Sequence, residues 1–184
     1  MDYLKEFENW KQALKNDQNA IAELSSLKDD EIEDRFYKDL DFGTAGLRGI
    51  MELGTNRMNN YVIRRVTQGV ANEIIETGEE AMQRGVAIAF DSRNNSPEFA
   101  MEAAKVLCAN GIKTYLFESL RPPPELSFTV RHLNCARGIV ITASHNPKQY
   151  NGYKVYGDDG SQISPETANK IVKYISEIDM FTGA

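Results

Sequence analysis

The sequence predicts an α/β fold, namely a three-layer α/β/α sandwich with a mixed, mostly parallel sheet, preceded by an N-terminal helical arm. From about residue 41 onward, short apolar runs alternate with stretches of helical spacing, as expected for strands joined by crossover helices. The first forty residues show helical spacing alone. Polar clusters follow the apolar runs, where open α/β sheets bind their ligands.

Length and composition limit the possible classes of protein. The chain has 184 residues, of which 41% are apolar and 26% charged, and this favours one large domain or one domain with an appended segment. The N-terminus lacks a basic region followed by an apolar stretch, which argues against a signal peptide. No apolar run approaches the roughly 20 residues that span a bilayer. We therefore expect a cytoplasmic protein that does not bind membranes.

Charge and cysteine content narrow the classes further. Residues 1–40 contain eleven acidic and six basic side chains, so most of the net charge of −6 lies there. The absence of a basic stripe argues against a nucleic-acid partner. Cys108 and Cys135 lie in apolar surroundings and are predicted to be buried free thiols. Two histidines are too few for a histidine-rich metal site.

The first forty residues are predicted to form the helical arm. Apolar residues recur at helical spacing around Trp10, which we expect to anchor the arm on the main domain. Asp29 or Asp30 is the expected cap of a last short helix. The predicted division is an arm over residues 1–40 and a domain over 41–184. A partner-binding helix is the alternative function for the arm.

The first half of the domain begins with a glycine-rich stretch. Residues 42–53 are predicted to be extended, and 61–77 have helical spacing. Residues 86–90 are an apolar run typical of a buried strand. A helix should follow, with Ser96 as its cap, and end at Asn110–Gly111.

The second half continues the alternation. Residues 112–117, 137–142 and 153–156 are predicted strands, and residues 124–133 a helix. Ser164 and the proline after it open a last helix that reaches about residue 178.

Three polar clusters follow the predicted strands, at residues 91–93, 118–121 and 144–146. Because the carboxyl ends of parallel strands share one edge of a sheet, we expect these clusters to converge on one rim.

Ser144 is the leading candidate for a reactive residue. By itself, a serine in a polar loop is more typical of an ordinary turn. A serine hydrolase is disfavoured because Thr142 and Asn146 occupy the glycine positions of a Gly-x-Ser-x-Gly elbow, and because His145 is adjacent in sequence. A phosphoryl carrier fits better, since a phosphoserine needs positive and hydrogen-bonding groups around it.

Several residues could stabilise such a phosphate. The cations Arg48 and Lys154 could do so, together with His145 and the Asn146 amide. Arg48 lies within a glycine-rich stretch whose spacing matches neither a Walker-type loop nor a dinucleotide fingerprint. Phosphoserine oxygens would also favour a hard cation such as Mg²⁺.

Two long motifs together resemble the α-D-phosphohexomutase family, which includes phosphoglucomutases, phosphomannomutases and phosphopentomutases. Residues 142–147 (Thr-Ala-Ser-His-Asn-Pro) look like the family's phosphoserine loop, and residues 150–154 (Tyr-Asn-Gly-Tyr-Lys) look like its continuation. Residues 42–49 (Phe-Gly-Thr-Ala-Gly-Leu-Arg-Gly) are similar to the N-terminal loop of the phosphoglucomutase and phosphopentomutase branch. The resemblance covers nearly all of residues 40–180.

The resemblance implies specific roles for residues of this chain. Ser144 would carry the phosphoryl group, give it to a sugar phosphate and regain a phosphate from the resulting bisphosphate. Lys154 would act near the transferring phosphoryl group, as a general acid or base or through its charge. Arg48 would support the phosphoserine, with Thr44 and His145 nearby. Ser144 would also bind Mg²⁺ through its phosphate, and a glucose 1,6-bisphosphate-type compound would be the activator.

Two further positions carry less specific signals. Asp91 and Arg93 match an Asp-x-Arg pattern that the family often has after a strand, and both an ion pair and a ligand role remain open. Pro123 occupies a position where the similar pattern has threonine.

The length of the chain departs from the family pattern. Members have four domains, whereas this chain resembles the first alone and lacks the metal loop, the sugar-selecting loop and the distal phosphate-binding domain. The Gly-Asp-Asp-Gly string at 157–160 is predicted to be a turn, not a metal loop. The implied partners are a phosphorylated sugar (glucose, mannose or pentose phosphate) and the remaining domains, without which the isolated domain should be inactive. A free-standing phosphate-binding module without catalysis is the alternative.

Overall fold

The computed structural model describes residues 2–184 as a mixed sheet with helices on both of its faces. The helices are α1 (Tyr3–Ala13), α2 (Gln18–Ser25), α3 (Asp29–Phe36), α4 (Asn60–Thr77), α5 (Glu79–Arg84), α6 (Ser96–Ala109), α7 (Pro123–His132) and α8 (Pro165–Glu177). The strands are β1 (Leu47–Ile50), β2 (Val86–Phe90), β3 (Thr114–Leu116), β4 (Arg137–Ile141) and β5 (Tyr150–Tyr156).

The sheet has the order β1-β5-β4-β2-β3. Strand β2 pairs in parallel with both β3 and β4, and β5 is antiparallel to both of its neighbours. Four of the five strands therefore run in one direction, and β5 opposes them. The predicted mixed, mostly parallel sheet is confirmed.

The connections of the parallel strands place the carboxyl end of β2 at a topological switch point. The chain passes from β2 through α6 to β3, and then through α7 to β4 on the other side of β2. Right-handed crossovers in opposite directions put α6 and α7 on opposite faces of the sheet. Open α/β sheets bind ligands at such a point.

Each face of the sheet has its own core. Side chains of α4, α6 and α8 pack with Ile88, Ile139 and Tyr153 on one face. On the other face, Leu126 and Val130 of α7 pack against the alanines and Val140 of the central strands. The predicted three layers are therefore present.

The arm helices α1–α3 form a third cluster that is continuous with the main body. The fully buried Trp10 ring lies 5.7 Å from Phe36, 5.5 Å from Tyr61 and 5.1 Å from Phe181, measured between ring centroids, all edge-on. Tyr61 belongs to α4 and Phe181 follows α8, so Trp10 is the predicted anchor. Such aromatic pairs contribute about 0.5–1.5 kcal/mol each beyond burial of their area.

Helix starts were predicted less well than helix interiors. Ser96 is the first residue of α6 and not its cap; the residue before it, Asn95, has a left-handed backbone. Lys28, not Asp29 or Asp30, precedes α3, and its N–H donates to the Glu31 carboxylate 3.0 Å away.

Strand boundaries and one cysteine also differ from expectation. Strand β3 has three residues and β1 has four, because turns and bends occupy much of 42–53 and because residues 112, 113 and 117 lie outside the strand ladder. Strand β5 begins at Tyr150, three residues before the predicted start. Helix α5 was not predicted. Cys135 is buried as expected, but Cys108 is exposed because it lies on the outer side of α6.

Within residues 2–184, no helix combines the length and apolar character needed to cross a bilayer.

Candidate functional site

Two of the three predicted polar clusters meet at the carboxyl ends of the parallel strands. The Asp91 amide, just after β2, donates to the Ile141 carbonyl at the end of β4 at 3.1 Å. This contact brings the 91–93 turn beside the 144–150 loop. A groove of about 470 Å³ lies between them. The lining residues are Asp91, Ser92, Arg93, Asn94, Ser144, Asn146 and Lys148.

The third cluster, residues 118–121, contacts the carboxyl end of β2 only through a backbone hydrogen bond. The Arg121 amide donates to the Phe90 carbonyl at 3.0 Å, but its guanidinium hydrogen-bonds to Ser119 and lies 3.1 Å from the Glu125 carboxylate. These contacts are local, and the cluster does not line the groove beside Ser144.

Ser144 has an unusual backbone conformation. Its φ is 57°, and the other two non-glycine residues with positive φ in the described chain are asparagines, Asn95 and Asn134. Asparagine tolerates this region better than serine, for which it costs about 1–2 kcal/mol. The Ser144 amide donates to Thr142 Oγ1 at 3.0 Å, which supports the turn. The Ser144 residue is exposed, so a strained backbone presents an accessible hydroxyl.

Arg93 holds the loop that contains Ser144. Its guanidinium donates to the carbonyls of Ser144 at 2.8 Å and Asn146 at 2.7 Å. It also donates to the carbonyls of Pro147 at 3.0 Å and Tyr150 at 3.1 Å. Four carbonyls of one loop therefore converge on one side chain. From sequence, both an ion pair and a ligand role remained open for Arg93; the structure shows the ion pair with Asp91 and, in addition, these contacts with the loop backbone.

A buried polar network orients Arg93. Its Nε lies 3.4 Å from the Asp91 carboxylate, which also accepts hydrogen bonds from the Arg93 amide at 2.9 Å and from Ser96 Oγ at 2.8 Å. Asn151 Nδ2 donates to Ser96 Oγ at 2.9 Å, and both residues are fully buried. Ser96 and Asn151 were not predicted as site residues. The Asp-x-Arg spacing after β2 was the available signal.

Arg48 and Lys154 lie on the same face of the sheet. Arg48 pairs with Gly152 across β1 and β5, and Lys154 is two residues further along β5. Arg48 hydrogen-bonds to the Asn146 side chain. Partial burial, and then the positive charge of Arg48, lower the pKa of the Lys154 ammonium below its ordinary value. Within residues 2–184, neither Arg48 nor Lys154 forms a salt bridge with a carboxylate.

Two glycines let the Arg48 loop and the Ser144 loop approach β5. Gly46 has φ of 77°, and a Cβ there would lie 1.9 Å from the Tyr153 carbonyl oxygen. A Cβ on Gly152 would lie 2.6 Å from the Thr142 carbonyl oxygen. Neither position accepts a side chain without movement of the backbone. The glycine-rich string therefore serves close packing against the strand of Lys154.

The remaining predicted site residues lie at the edge of this arrangement. Thr44 is exposed in the turn between Gly43 and Gly46. His145 is exposed, and its Nδ1 lies 3.4 Å from Ser144 Oγ, which is long for a hydrogen bond. Asn146 is half-buried and contacts both arginines of the site, through its side chain to Arg48 and its carbonyl to Arg93.

The described residues do not by themselves fit a magnesium site. No group of three or more His, Cys, Asp or Glu side chains in residues 2–184 is arranged to hold a metal ion. The 157–160 string forms a turn, with the Gly160 amide donating to the Gly157 carbonyl. A magnesium ion at this site would therefore need ligands beyond the side chains of these residues.

The chain was compared with known protein families and curated proteins. The family described as "Phosphoglucomutase/phosphomannomutase, alpha/beta/alpha domain I" matches residues 39–181. The chain is 43% identical over 146 residues to a phosphoglucomutase of Staphylococcus haemolyticus, covering 79% of this chain and 26% of the relative. It is 38% identical over 172 residues to a phosphoglucomutase of Staphylococcus epidermidis, covering 90% and 31%. The chain thus spans less than a third of these relatives.

Solved structures give the same picture. A Thermus thermophilus protein described as a candidate phosphomannomutase superposes with a TM-score of 0.69 and 32% identity, over 80% of this chain and 32% of that one. A Burkholderia thailandensis protein of the phosphoglucomutase/phosphomannomutase family superposes with a TM-score of 0.61 and 25% identity, over 74% and 30%.

Proposed function

This chain belongs to the phosphoglucomutase/phosphomannomutase family, and we propose that it is the part of a sugar-phosphate mutase that carries the transferable phosphoryl group on Ser144. The complete enzyme would interconvert sugar 1-phosphate and sugar 6-phosphate, or pentose 1- and 5-phosphate, through a bisphosphorylated sugar. A glucose 1,6-bisphosphate-type compound would load the serine.

One observation carries the proposal: an exposed serine hydroxyl lies on a strained turn of the loop that Arg48 contacts, and neither Arg48 nor its neighbour Lys154 forms a salt bridge within the described chain. Charge stabilisation dominates phosphoryl transfer, so a phosphoserine needs such cations. Arg48 and Lys154 lie on one face of the sheet beside the loop. An ordinary turn would require neither the strain nor the uncompensated charge.

The proposed transfer breaks the bond between phosphorus and Ser144 Oγ and forms one between phosphorus and a sugar hydroxyl oxygen. The sugar hydroxyl loses its proton and Oγ gains one. Lys154 can accept a proton when neutral and donate one when charged, and its lowered pKa increases the neutral fraction at any given pH. Arg48 stays charged and attracts the phosphoryl oxygens. The second transfer returns the other phosphate of the bisphosphate to Oγ.

The remaining groups would come from outside these residues. The family relatives are more than three times as long as the region that this chain matches. We propose that the other domains supply the magnesium ligands, the sugar-selecting contacts and the distal phosphate clamp, and that the isolated domain is inactive. Bound Mg²⁺ would supply charge neutralisation for the phosphoryl oxygens.

Intact-mass measurement on the complete natural protein tests the proposal. We expect one labile phosphate that maps to Ser144 and is absent from Ser144→Ala. Mutase turnover should fall by about 10⁴-fold or more in that variant, since a residue that carries the transferred group cannot be bypassed. Ser176→Ala is the matched control, because this exposed serine lies on α8 and bonds within its own helix.

Two results would contradict the proposal. A phosphate that maps to another residue would remove the role of Ser144. Binding of glucose 1,6-bisphosphate without any transfer to protein would instead support the non-catalytic phosphate-binding module.

A further inference from the structure

The four hydrogen bonds of Arg93 to the Ser144 loop identify a residue that the proposed chemistry does not otherwise use. The carbonyls of Ser144, Asn146, Pro147 and Tyr150 all face its two terminal nitrogens at 2.7–3.1 Å. The loop spans seven residues between Ser144 and Tyr150. A single planar guanidinium therefore fixes both ends and the middle of that loop.

Ser144 needs such support because its backbone is strained. A serine at φ 57° returns to the ordinary region unless its surroundings over-determine the conformation. Thr142 Oγ1 holds the amide side of Ser144, and Arg93 holds its carbonyl side. The two contacts together fix the peptide planes before and after Ser144.

Arg93 is itself held from the other side. Asp91 accepts from the Arg93 amide and lies beside Nε, and Ser96 and Asn151 complete the network beneath. Asn151 also donates to the Asn94 carbonyl at 3.1 Å, which joins β5 to the turn that carries Arg93. A satisfied buried network of this kind is rigid.

We infer that Arg93 is a positioning residue that locks the loop in the conformation in which Ser144 presents its hydroxyl. The expected effect of Arg93 on phosphoryl transfer rests on the proposed function. The claim that Arg93 locks the loop does not depend on that function. Arg93 contacts the backbone of the loop, whereas Arg48 contacts the Asn146 side chain. Its loss should slow transfer to and from Ser144 while leaving sugar binding intact.

Amide hydrogen exchange tests the lock without reference to catalysis. In Arg93→Gln, exchange in peptides covering 144–150 should increase about tenfold or more, because the loop would open locally. The Asn146 amide donates to the Ala143 carbonyl and the Tyr150 amide to the Pro147 carbonyl, so these two amides should report the opening most clearly. The matched control is Arg57→Gln, which removes a guanidinium that is also largely buried and bonded to carbonyls and carboxylates, but far along the chain at the arm.

Kinetics on the complete natural protein test the consequence. Arg93→Gln should lower kcat, and the rate at which glucose 1,6-bisphosphate phosphorylates Ser144, by about 30-fold or more, with KM for the sugar phosphate within about threefold. Arg93→Lys should recover part of this rate, because an ammonium can donate to three carbonyls but lacks the planar fork. Arg57→Gln should leave kcat near the wild-type value when both proteins are assayed under conditions in which they are fully folded.

Three outcomes are decisive. Unchanged exchange at 144–150 in Arg93→Gln overturns the lock. Raised exchange with unchanged phosphorylation of Ser144 overturns the positioning role. In the third outcome, exchange rises in Arg93→Gln but the wild-type protein never carries phosphate on Ser144. That result supports the lock and overturns the proposed function.

Discussion

Two arginine-rich regions of this molecule use their charges in opposite ways. At the arm junction, Arg35 lies 2.7 Å from Glu23 and 3.3 Å from Glu52, and Arg57 pairs with Asp34 and Glu52. At the Ser144 loop, Arg48 bonds to an amide and lies near another cation, Lys154.

We propose that the paired charges at the arm junction stabilise the fold and that the unpaired charges at the Ser144 loop bind a ligand. Buried guanidiniums at the junction are matched by carboxylates, because an unpaired buried charge would be costly. The cations beside Ser144 repel each other, which is unfavourable in the free protein and becomes favourable when an anion binds between them. A region that is destabilised in this way is a candidate for ligand binding. Four substitutions test the distinction.

Truncation of the junction anchor should have the largest effect on stability. Trp10→Ala removes a fully buried ring from the aromatic cluster and should lower the free energy of unfolding by about 3–5 kcal/mol. Urea unfolding measures the change. Trp10→Phe is the control and should cost less, because the buried Trp10 Nε1 has no hydrogen-bond partner in the described structure. A kcat that falls with Trp10→Ala in fully folded protein would contradict the division into structural and functional regions.

Removal of the Lys154 charge should affect catalysis more than stability. Lys154→Met in the complete protein should lower kcat by about 10²–10³-fold, as expected for loss of one electrostatic group at a reacting phosphoryl. The free energy of unfolding should change by about 1 kcal/mol or less. Lys170→Met is the matched control, because Lys170 is an exposed lysine of α8 that lies near Glu76 of α4. Equal kinetic effects of the two variants would remove Lys154 from the site.

A methyl group at Gly46 should lower both the stability of the fold and the catalytic rate. Gly46→Ala places Cβ against the Tyr153 carbonyl in a left-handed backbone and should cost about 1–3 kcal/mol, while shifting Arg48 and lowering kcat. Gly43→Ala is the control, since a Cβ there meets nothing within 4 Å, and its stability should stay within about 0.5 kcal/mol of wild type. Thermal unfolding and turnover compare the pair. Equal costs would show that the loop does not need its close approach to β5.

The smallest expected effect is on the titration of Lys154. Burial would remain the larger cause of the lowered Lys154 pKa, but Arg48→Gln removes a repelling charge and should raise that pKa, as measured by NMR of the lysine side chain. The folded pKa lies below the unfolded one, so wild-type stability should increase with pH as the solution passes from the folded to the unfolded pKa, and Arg48→Gln should flatten that rise. Arg64→Gln, which removes an arginine paired with Glu102 on the other face, should leave the midpoint unchanged. If the titration midpoint of Lys154 is the same in Arg48→Gln as in the wild type, the two cations do not interact.

Local patterns predicted most of the fold and singled out the loop of Ser144 as the candidate site. The spacing of 61–77 and the apolar run of 86–90 match α4 and β2 closely, because burial on one helix face or within a sheet imposes a strict period. Strand β3 was predicted too long because its ladder with β2 covers only Thr114 to Leu116, and that pairing depends on a partner distant in sequence. Ser96 fits the composition of a helix cap, but tertiary contacts with Asp91 and Asn151 occupy its hydroxyl.

The sequence by itself therefore determined the α/β class, the anchor Trp10 and the candidate serine with its surrounding cations. These features depend on residue type and local spacing, both of which can be read directly from the sequence. The tertiary structure alone decided that Arg93 binds four loop carbonyls, that Ser144 adopts a left-handed backbone and that Arg48 and Lys154 share one face. Each of these depends on strand order and register, which bring together residues about 50 to 100 positions apart.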